Sequence, residues 1–404
     1  MLSETDPDKK YFIFLLMAII SIGILMVYSS SYFISKDLYG NPYQILFKQL
    51  IFLIIGVGAL VALSHVSFEF LVRLGTITNF VFIILLLLTI LGPLGISIKG
   101  SHRWIDLGFT KFQPGEFVKF TLILAAITYF ENFQTMRVKR KILNGLFILS
   151  PLIIFLIQPD FGSFSICLII ITFIAFLSHF PRKLFYSMLT LGFGFAISIV
   201  FIAPYRVKRL LTFLDPWKDP KDSGFQIIQS FLAFANGSFW GKGIGNSTEK
   251  LFYLPEAHND FILSVLGEEL GFVGVFVCVL LYLVFIYFGF KLISKNQNRF
   301  AVIAGSTVIF AIGLQTVLNM GVVLGLLPTK GLNLPFISSG GSSLVANLMA
   351  IGMFFSALKA KTSFEQNGNI ENKIESDNQN FIVQRPSPVY QQYPLPFKRP
   401  KLPQ

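Results

Sequence analysis

Apolar residues fall along this chain in long blocks separated by short polar stretches, and no two-residue or 3.6-residue alternation interrupts the blocks. They lie at about 11–31, 45–64, 76–97, 113–130, 142–158, 163–179, 184–204, 261–290, 300–324 and 343–358. Each is close to the roughly 20 residues with which an α-helix crosses about 30 Å of hydrocarbon. Only a helix or a closed barrel satisfies its backbone there, so the pattern predicts an all-α polytopic membrane protein with about ten transmembrane helices. The first run lacks a small-x-small cleavage site and is expected to be retained rather than removed as a signal peptide.

The polar stretches are short except for one, at about 205–260. It opens with PYRVKRLLTFLDPWKDPKDSGFQIIQSFLAF, which carries Arg206, Lys208 and Arg209 and predicts a short amphipathic helix around Gly224 to Phe234. It continues with ANGSFWGKGIGNSTEK, whose glycines suit a tightly turning backbone. The organisation expected is a short N-terminus at 1–10, a membrane domain at 11–358 and a disordered tail at 359–404, where Asn, Gln, Glu, Lys and Pro replace the apolar residues. No internal repeat is visible, which weighs against a transporter built from duplicated bundles.

Composition agrees: 53% of the 404 residues are hydrophobic, 13% are charged and 46 are phenylalanine, which excludes a soluble domain. Lysines and arginines set the orientation. Arg137, Lys139, Arg140 and Lys141 share one side with Lys9, Lys10, Arg182, Lys183, Lys291, Lys295 and Arg299, while the short loops opposite hold only Lys36, Lys99, Arg103, Lys111 and Lys330. Both termini are therefore expected to be cytoplasmic and the long loop extracytoplasmic. Its basic residues then call for an anionic partner at the membrane surface; nothing points to nucleic acid. Cys167 and Cys278 sit inside apolar runs and read as small hydrophobes.

Candidate chemistry is confined to polar residues at the outer helix ends. In YLPEAHNDFILSVLGEELG, Asp260 is either a helix cap or a general base in a partly desolvated cleft, with His258 beside it. Glu268 and Glu269 lie deeper, where a carboxylate needs a partner, and read as structural. In KFQPGEFVKF, Glu116 and Lys119 are spaced for a local ion pair or to line an outward cleft. In QPDFG, Asp160 caps the next helix or faces the same cleft. The stretch GLLPTKGLNLPFISSGGSS, with Lys330, suits a broken segment lining a cavity. All four places share one face under the topology set by Lys and Arg. No phosphate-binding glycine loop, zinc-ligand spacing or G-x-S-x-G elbow is present.

These stretches, with FKQ at 47–49 and RWIDLGFTKFQPGEFVK at 103–119, resemble the SEDS proteins (shape, elongation, division and sporulation), which polymerise glycan strands from lipid II. The segments PYRVKRLLTFLDPW and NMGVVLGLLPTKG are most similar to the FtsW, division-associated branch rather than the RodA, elongation branch. The resemblance implies a peptidoglycan glycosyltransferase in the cytoplasmic membrane of a bacterium, at the division septum. It implies Asp260 as catalytic residue, roles for Glu116 and Lys119, and a divalent cation, Mg or Mn, with no ligand set legible here. Pyrophosphate ligands are expected among Lys119, Arg206, Lys208 and Arg209. The implied partners are lipid II, undecaprenyl-pyrophosphate-linked glycan, a class B penicillin-binding transpeptidase and other division proteins. Gly115 stands where the family usually has serine, and Ser339 where tyrosine is usual. The competing readings are a lipid II flippase and a non-catalytic scaffold.

Overall fold

The computed structural model describes residues 6–92, 95–98, 101–108, 110–202, 204–221, 224–251 and 253–361. A helix forms on each of the ten apolar runs: α1 (Pro7–Tyr39), α2 (Gln44–His65), α3 (Phe68–Leu91), α4 (Pro114–Glu131), α5 (Val138–Ile157), α6 (Phe161–Leu177) and α7 (Arg182–Ile202). After α8 (Pro204–Leu214) and α9 (Phe225–Gly237) in the long loop come α10 (Ile262–Ile293), α11 (Arg299–Val323) and α12 (Gly341–Leu358). Among the described residues, seven of the helices, α1, α2, α3, α5, α10, α11 and α12, are long and apolar enough to cross a membrane. The α4 helix falls short in apolarity because it carries Glu116, Lys119 and Glu131.

Helix ends follow local chemistry. Asp6 caps α1 by accepting from the Asp8 N–H at 3.0 Å, Pro7 occupies the first turn, and Gly40 closes the helix in the left-handed region with φ 70°. The α11 and α12 helices are mostly buried, and α4 and α6 pack against α11. Outer helices turn apolar side chains outward: Ile54 on α2 and Leu191 on α7 are each 72% exposed, as suits contact with lipid tails.

The structure departs from the sequence reading in several places. The run expected at 76–97 ends as helix at Leu91. Beyond it, β1 (Gly95–Ile98), β2 (Ser101–Asp106) and β3 (Lys111–Phe112) form an antiparallel sheet in the order β1-β2-β3, so the chain is not wholly α. Ile105 pairs with both Gly95 and Phe112 and is buried, which gives this small sheet its apolar side. The start of the long loop, for which the sequence reading named no element, forms α8. The α1 helix begins ahead of its apolar run because Asp6 and Pro7 start it. The tail expected from 359 lies, from 362 on, outside the described residues.

The run at 261–290 is not one continuous helix. At Gly271 the backbone takes φ 67° and ψ −165°, a region open essentially to glycine alone. The turn after α9 fills the break. The Glu268 and Glu269 carbonyls accept from the Lys242 and Gly243 N–H groups at 3.0 and 2.9 Å, while the Phe272 and Val273 N–H groups donate to the Ser238 and Phe239 carbonyls at 2.9 and 3.2 Å. Two backbones can lie this close only without side chains: a Cβ added at Gly241 would stand 2.2 Å from the Glu269 oxygen. The half-helix Ile262–Leu270 is thereby set apart, and Asp260 lies just before it.

Candidate functional site

The site forms where the turn into α10 and the start of α6 meet the segment between α11 and α12, with β2 and α8 beside them. Asp260 is partly buried in the turn that enters α10. The cap position of that helix is Phe261, with no side-chain cap, so the capping reading of Asp260 is displaced by one residue. The Asp260 carbonyl accepts from Asn319 Nδ2 on α11 at 2.8 Å. Ser338 Oγ donates to the Asn259 carbonyl at 2.7 Å and the Ser339 N–H to the His258 carbonyl at 2.9 Å. These bonds hang the turn on the segment between α11 and α12. That segment reaches the carboxylate at Gly331, where an added Cβ would stand 3.2 Å from Asp260 Oδ2.

Gly331 also lines a cavity of about 620 Å³, its open mouth included, together with Arg103, Asp160, Phe161, Arg209, Thr329 and Lys330. Arg103 on β2 donates through Nη2 to the Pro159 carbonyl at 2.7 Å, and its Nε lies 3.5 Å from Asp160 Oδ2. Asp160 caps α6 as its position predicts, accepting from the Ser163 N–H at 3.1 Å and the Ser163 hydroxyl at 2.9 Å. Arg209 on α8 reaches the Thr329 carbonyl at 3.5 Å. Lys330 lies over the Phe161 ring, 5.2 Å from its centroid, and no carboxylate pairs with it among the described residues. Burial therefore pushes its ammonium below the ordinary lysine value of 10.5. The cavity thus gathers three cations and one carboxylate, and that carboxylate already serves Arg103 and a cap. Lys330 has no carboxylate partner among the described residues and can receive an anion.

Other residues expected at the site lie elsewhere. Glu116 and Lys119 are buried and form an ion pair at 2.7 Å, and Lys119 Nζ donates as well to Gln315 Oε1 at 2.6 Å. Gln315 passes the connection on, its Nε2 donating to the Asn333 carbonyl at 2.9 Å. This pair fixes α4 to α11 and to the cavity-lining segment; it does not line the cavity itself. Lys208 pairs with Asp219 at 3.2 Å. Arg206 lies on α8. His258 meets the segment through its backbone.

The sequence model of the family described as "Cell cycle protein", which covers FtsW, RodA and SpoVE, matches residues 9–363. The chain belongs to the FtsW, RodA and SpoVE family. It is 37% identical over 351 residues to the "Probable peptidoglycan glycosyltransferase FtsW" of Coxiella burnetii, covering 83% of this chain and 92% of that protein. The protein of the same description from Trichlorobacter lovleyi is 38% identical over 353 residues, 84% of this chain and 90% of that one. A chain from a peptidoglycan synthase complex superposes with a TM-score of 0.69 at 28% identity, covering 86% of this chain and 96% of that one. The rod shape determining protein RodA of Thermus thermophilus gives a TM-score of 0.63 at 25% identity, with 86% and 95% covered.

Within this family framework, the two unusual residues have local explanations. Phe155 packs over Gly115, where a Cβ would stand 3.0 Å from its ring, so the glycine makes room for a larger neighbour. Ser339 contributes its backbone N–H to His258, a bond any residue but proline can make. Among the described residues no group of three or more His, Cys, Asp and Glu could hold a metal ion. Sequence reasoning missed Arg103 as a site residue, although it opens the RWIDLGF stretch, and missed Gln315, which has no motif around it.

Proposed function

We propose that this protein is a multi-pass peptidoglycan glycosyltransferase of the FtsW type. It polymerises lipid II at the outer face of the bacterial cytoplasmic membrane during septal wall synthesis. The observation that carries the reading is the Asp260 carboxylate beside Gly331, at the edge of a cavity lined by Arg103, Arg209 and Lys330. A base and a group of cations side by side suit a displacement in which a hydroxyl loses its proton and a pyrophosphate departs.

In this reading the sugar hydroxyl of an incoming lipid II attacks the sugar carbon that links the growing glycan to its undecaprenyl pyrophosphate. The new glycosidic bond forms as the bond to the pyrophosphate breaks. Asp260 takes the hydroxyl proton, and Arg103, Arg209 and Lys330 offset the charge left on the pyrophosphate. A divalent cation would travel with the pyrophosphate, and no step is assigned to it. In this reading both termini are cytoplasmic, as the Lys and Arg bias supports, and a class B penicillin-binding transpeptidase crosslinks the product. The charges at the opposite helix ends speak against a flippase. There Lys291 and Lys295 pair with Asp8 at 2.8 and 2.7 Å, and Arg299 and His179 pair with Glu131 at 3.2 and 2.9 Å, closing clamps instead of lining a path.

The test is Asp260→Asn in purified full-length protein given lipid II, with its transpeptidase partner present. Glycan polymerisation should fall by about 100-fold or more with the melting temperature unchanged. Polymerisation at the parent rate would refute the assignment.

A further inference from the structure

Glu268 and Glu269 take no part in the transfer just described, yet both are fully buried where α10 breaks. Buried carboxylates in an apolar span are tolerated only with partners. Both find theirs in the glycine-rich half of the long loop. Glu268 accepts from Lys242 Nζ at 2.8 Å and from the Thr248 N–H and hydroxyl at 3.1 and 2.8 Å. Glu269 Oε1 accepts from Lys250 Nζ at 2.8 Å and from the Ser29 hydroxyl of α1, and Lys250 Nζ lies 3.0 Å from the same hydroxyl. Lys250 is 3% exposed, so this second contact is a dry ion pair bridged to a different membrane helix.

The pairing closes a loop. Lys250 and Glu269 are 19 positions apart, and Asp260 lies near the middle of the interval. The Lys242–Glu268 pair closes a wider loop, of 26 positions, around the same residue. Such a closure removes the freedom the intervening chain would otherwise have. Near its apex the loop hangs on α11 and on the segment before α12 through Asn319, Ser338 and Ser339. At its base it is fixed to α1 and α10 through Ser29, Lys250 and Glu269. Where the Asp260 carboxylate stands relative to the cavity is the outcome of those two anchorages.

We propose that Lys250 and Glu269, bridged to α1 by Ser29, are positioning residues for glycosyl transfer. Their ion pair closes the loop that carries Asp260 and holds its carboxylate at the Gly331 edge of the cavity. The proposal rests on Asp260 being the general base. A misplacement of about 1 Å at a reacting group costs on the order of 100-fold in rate, so loss of the pair should act on turnover more than on substrate binding.

The test compares Glu269→Gln, Lys250→Met, the double variant and Lys250→Arg, all in the purified full-length protein with lipid II and its transpeptidase partner. Each single change leaves one buried charge alone, so both singles should lower the melting temperature. The double variant leaves none, and its melting temperature should return close to that of the parent. Its kcat should nonetheless remain about 10- to 100-fold down, with KM within about twofold, whereas Lys250→Arg should retain turnover. A purely structural pair would restore stability and turnover together, and that result in the double variant would overturn the proposal even if the singles fail to fold. Asp260→Asn, run alongside, separates the two failures. A fully active double variant beside an inactive Asp260→Asn removes only the positioning role, and an active Asp260→Asn removes the base assignment and this proposal with it.

Discussion

A lysine ammonium drawn partly out of water, with a phenyl ring below it and no carboxylate paired with it among the described residues, holds its proton less firmly than an exposed lysine. That is the situation of Lys330. In the proposed reaction the protonated form is the one that attracts the pyrophosphate of the growing glycan, so binding weakens as pH rises through the depressed pKa. The profile of kcat/KM, which reports groups on the free enzyme, should therefore show an alkaline fall that begins below the ordinary lysine value of 10.5. Lys330→Arg keeps the charge at any accessible pH and should remove that limb, while Lys330→Met should lower kcat/KM by about 10-fold or more at neutral pH. An alkaline limb unmoved in the arginine variant would assign the titration to another group. Lys330 was legible in the sequence as a candidate because a lone cation stood in a stretch of small polar residues. Its want of a partner was not legible, since that depends on Asp160 being taken by Arg103 and Ser163, from two other segments.

At the scale of elements, the break in α10 shows where hydrophobic patterning stops being informative. Apart from Glu268 and Glu269 the apolar run continues through Gly271, because the freed carbonyls and N–H groups are met by a turn about thirty residues earlier in the chain rather than by a local cap. A pattern read along one segment cannot register a partner in another. A helix on each of the ten apolar runs was legible because each run is close to the length that crossing a bilayer imposes, and seven of the described helices are long and apolar enough to cross. Helix α8 and the three short strands were not, since neither has the length or the unbroken apolarity that a span needs. The break itself is testable. Gly271→Ala forces a side chain into a backbone region reserved for glycine and against the Gly241 nitrogen, 2.4 Å from the added Cβ. It should cost at least about 2 kcal/mol in a denaturant titration. Gly194→Ala on α7, where an added Cβ meets nothing within 4 Å, should be near neutral or slightly stabilising. Equal effects from the two would mean that the turn and the helix break do not depend on each other.

Across the whole molecule, the two ends of the helical assembly use charge in opposite ways. At the end that carries Asp260, Lys330 lacks a carboxylate partner among the described residues and lines a cavity with Arg103 and Arg209. At the other end Lys291, Lys295 and Arg299 are held in clamps. Glu131 at the end of α4 accepts from Arg299 Nε at the start of α11 and from both the ring and the backbone N–H of His179, between α6 and α7. The side chain of Glu131 is only 6% exposed although its partners are largely in water, which makes it the buried hub of a staple across three elements. The Glu131 clamp was not legible in the sequence, because Glu131 and Arg299 stand 168 positions apart. This asymmetry predicts that neutralising a charge has a different consequence at each end. Glu131→Gln should lower stability by about 1–2 kcal/mol and leave kcat/KM for lipid II unchanged in the folded protein. Loss of turnover with stability intact would instead place the inner end in the substrate's path and revive the flippase reading.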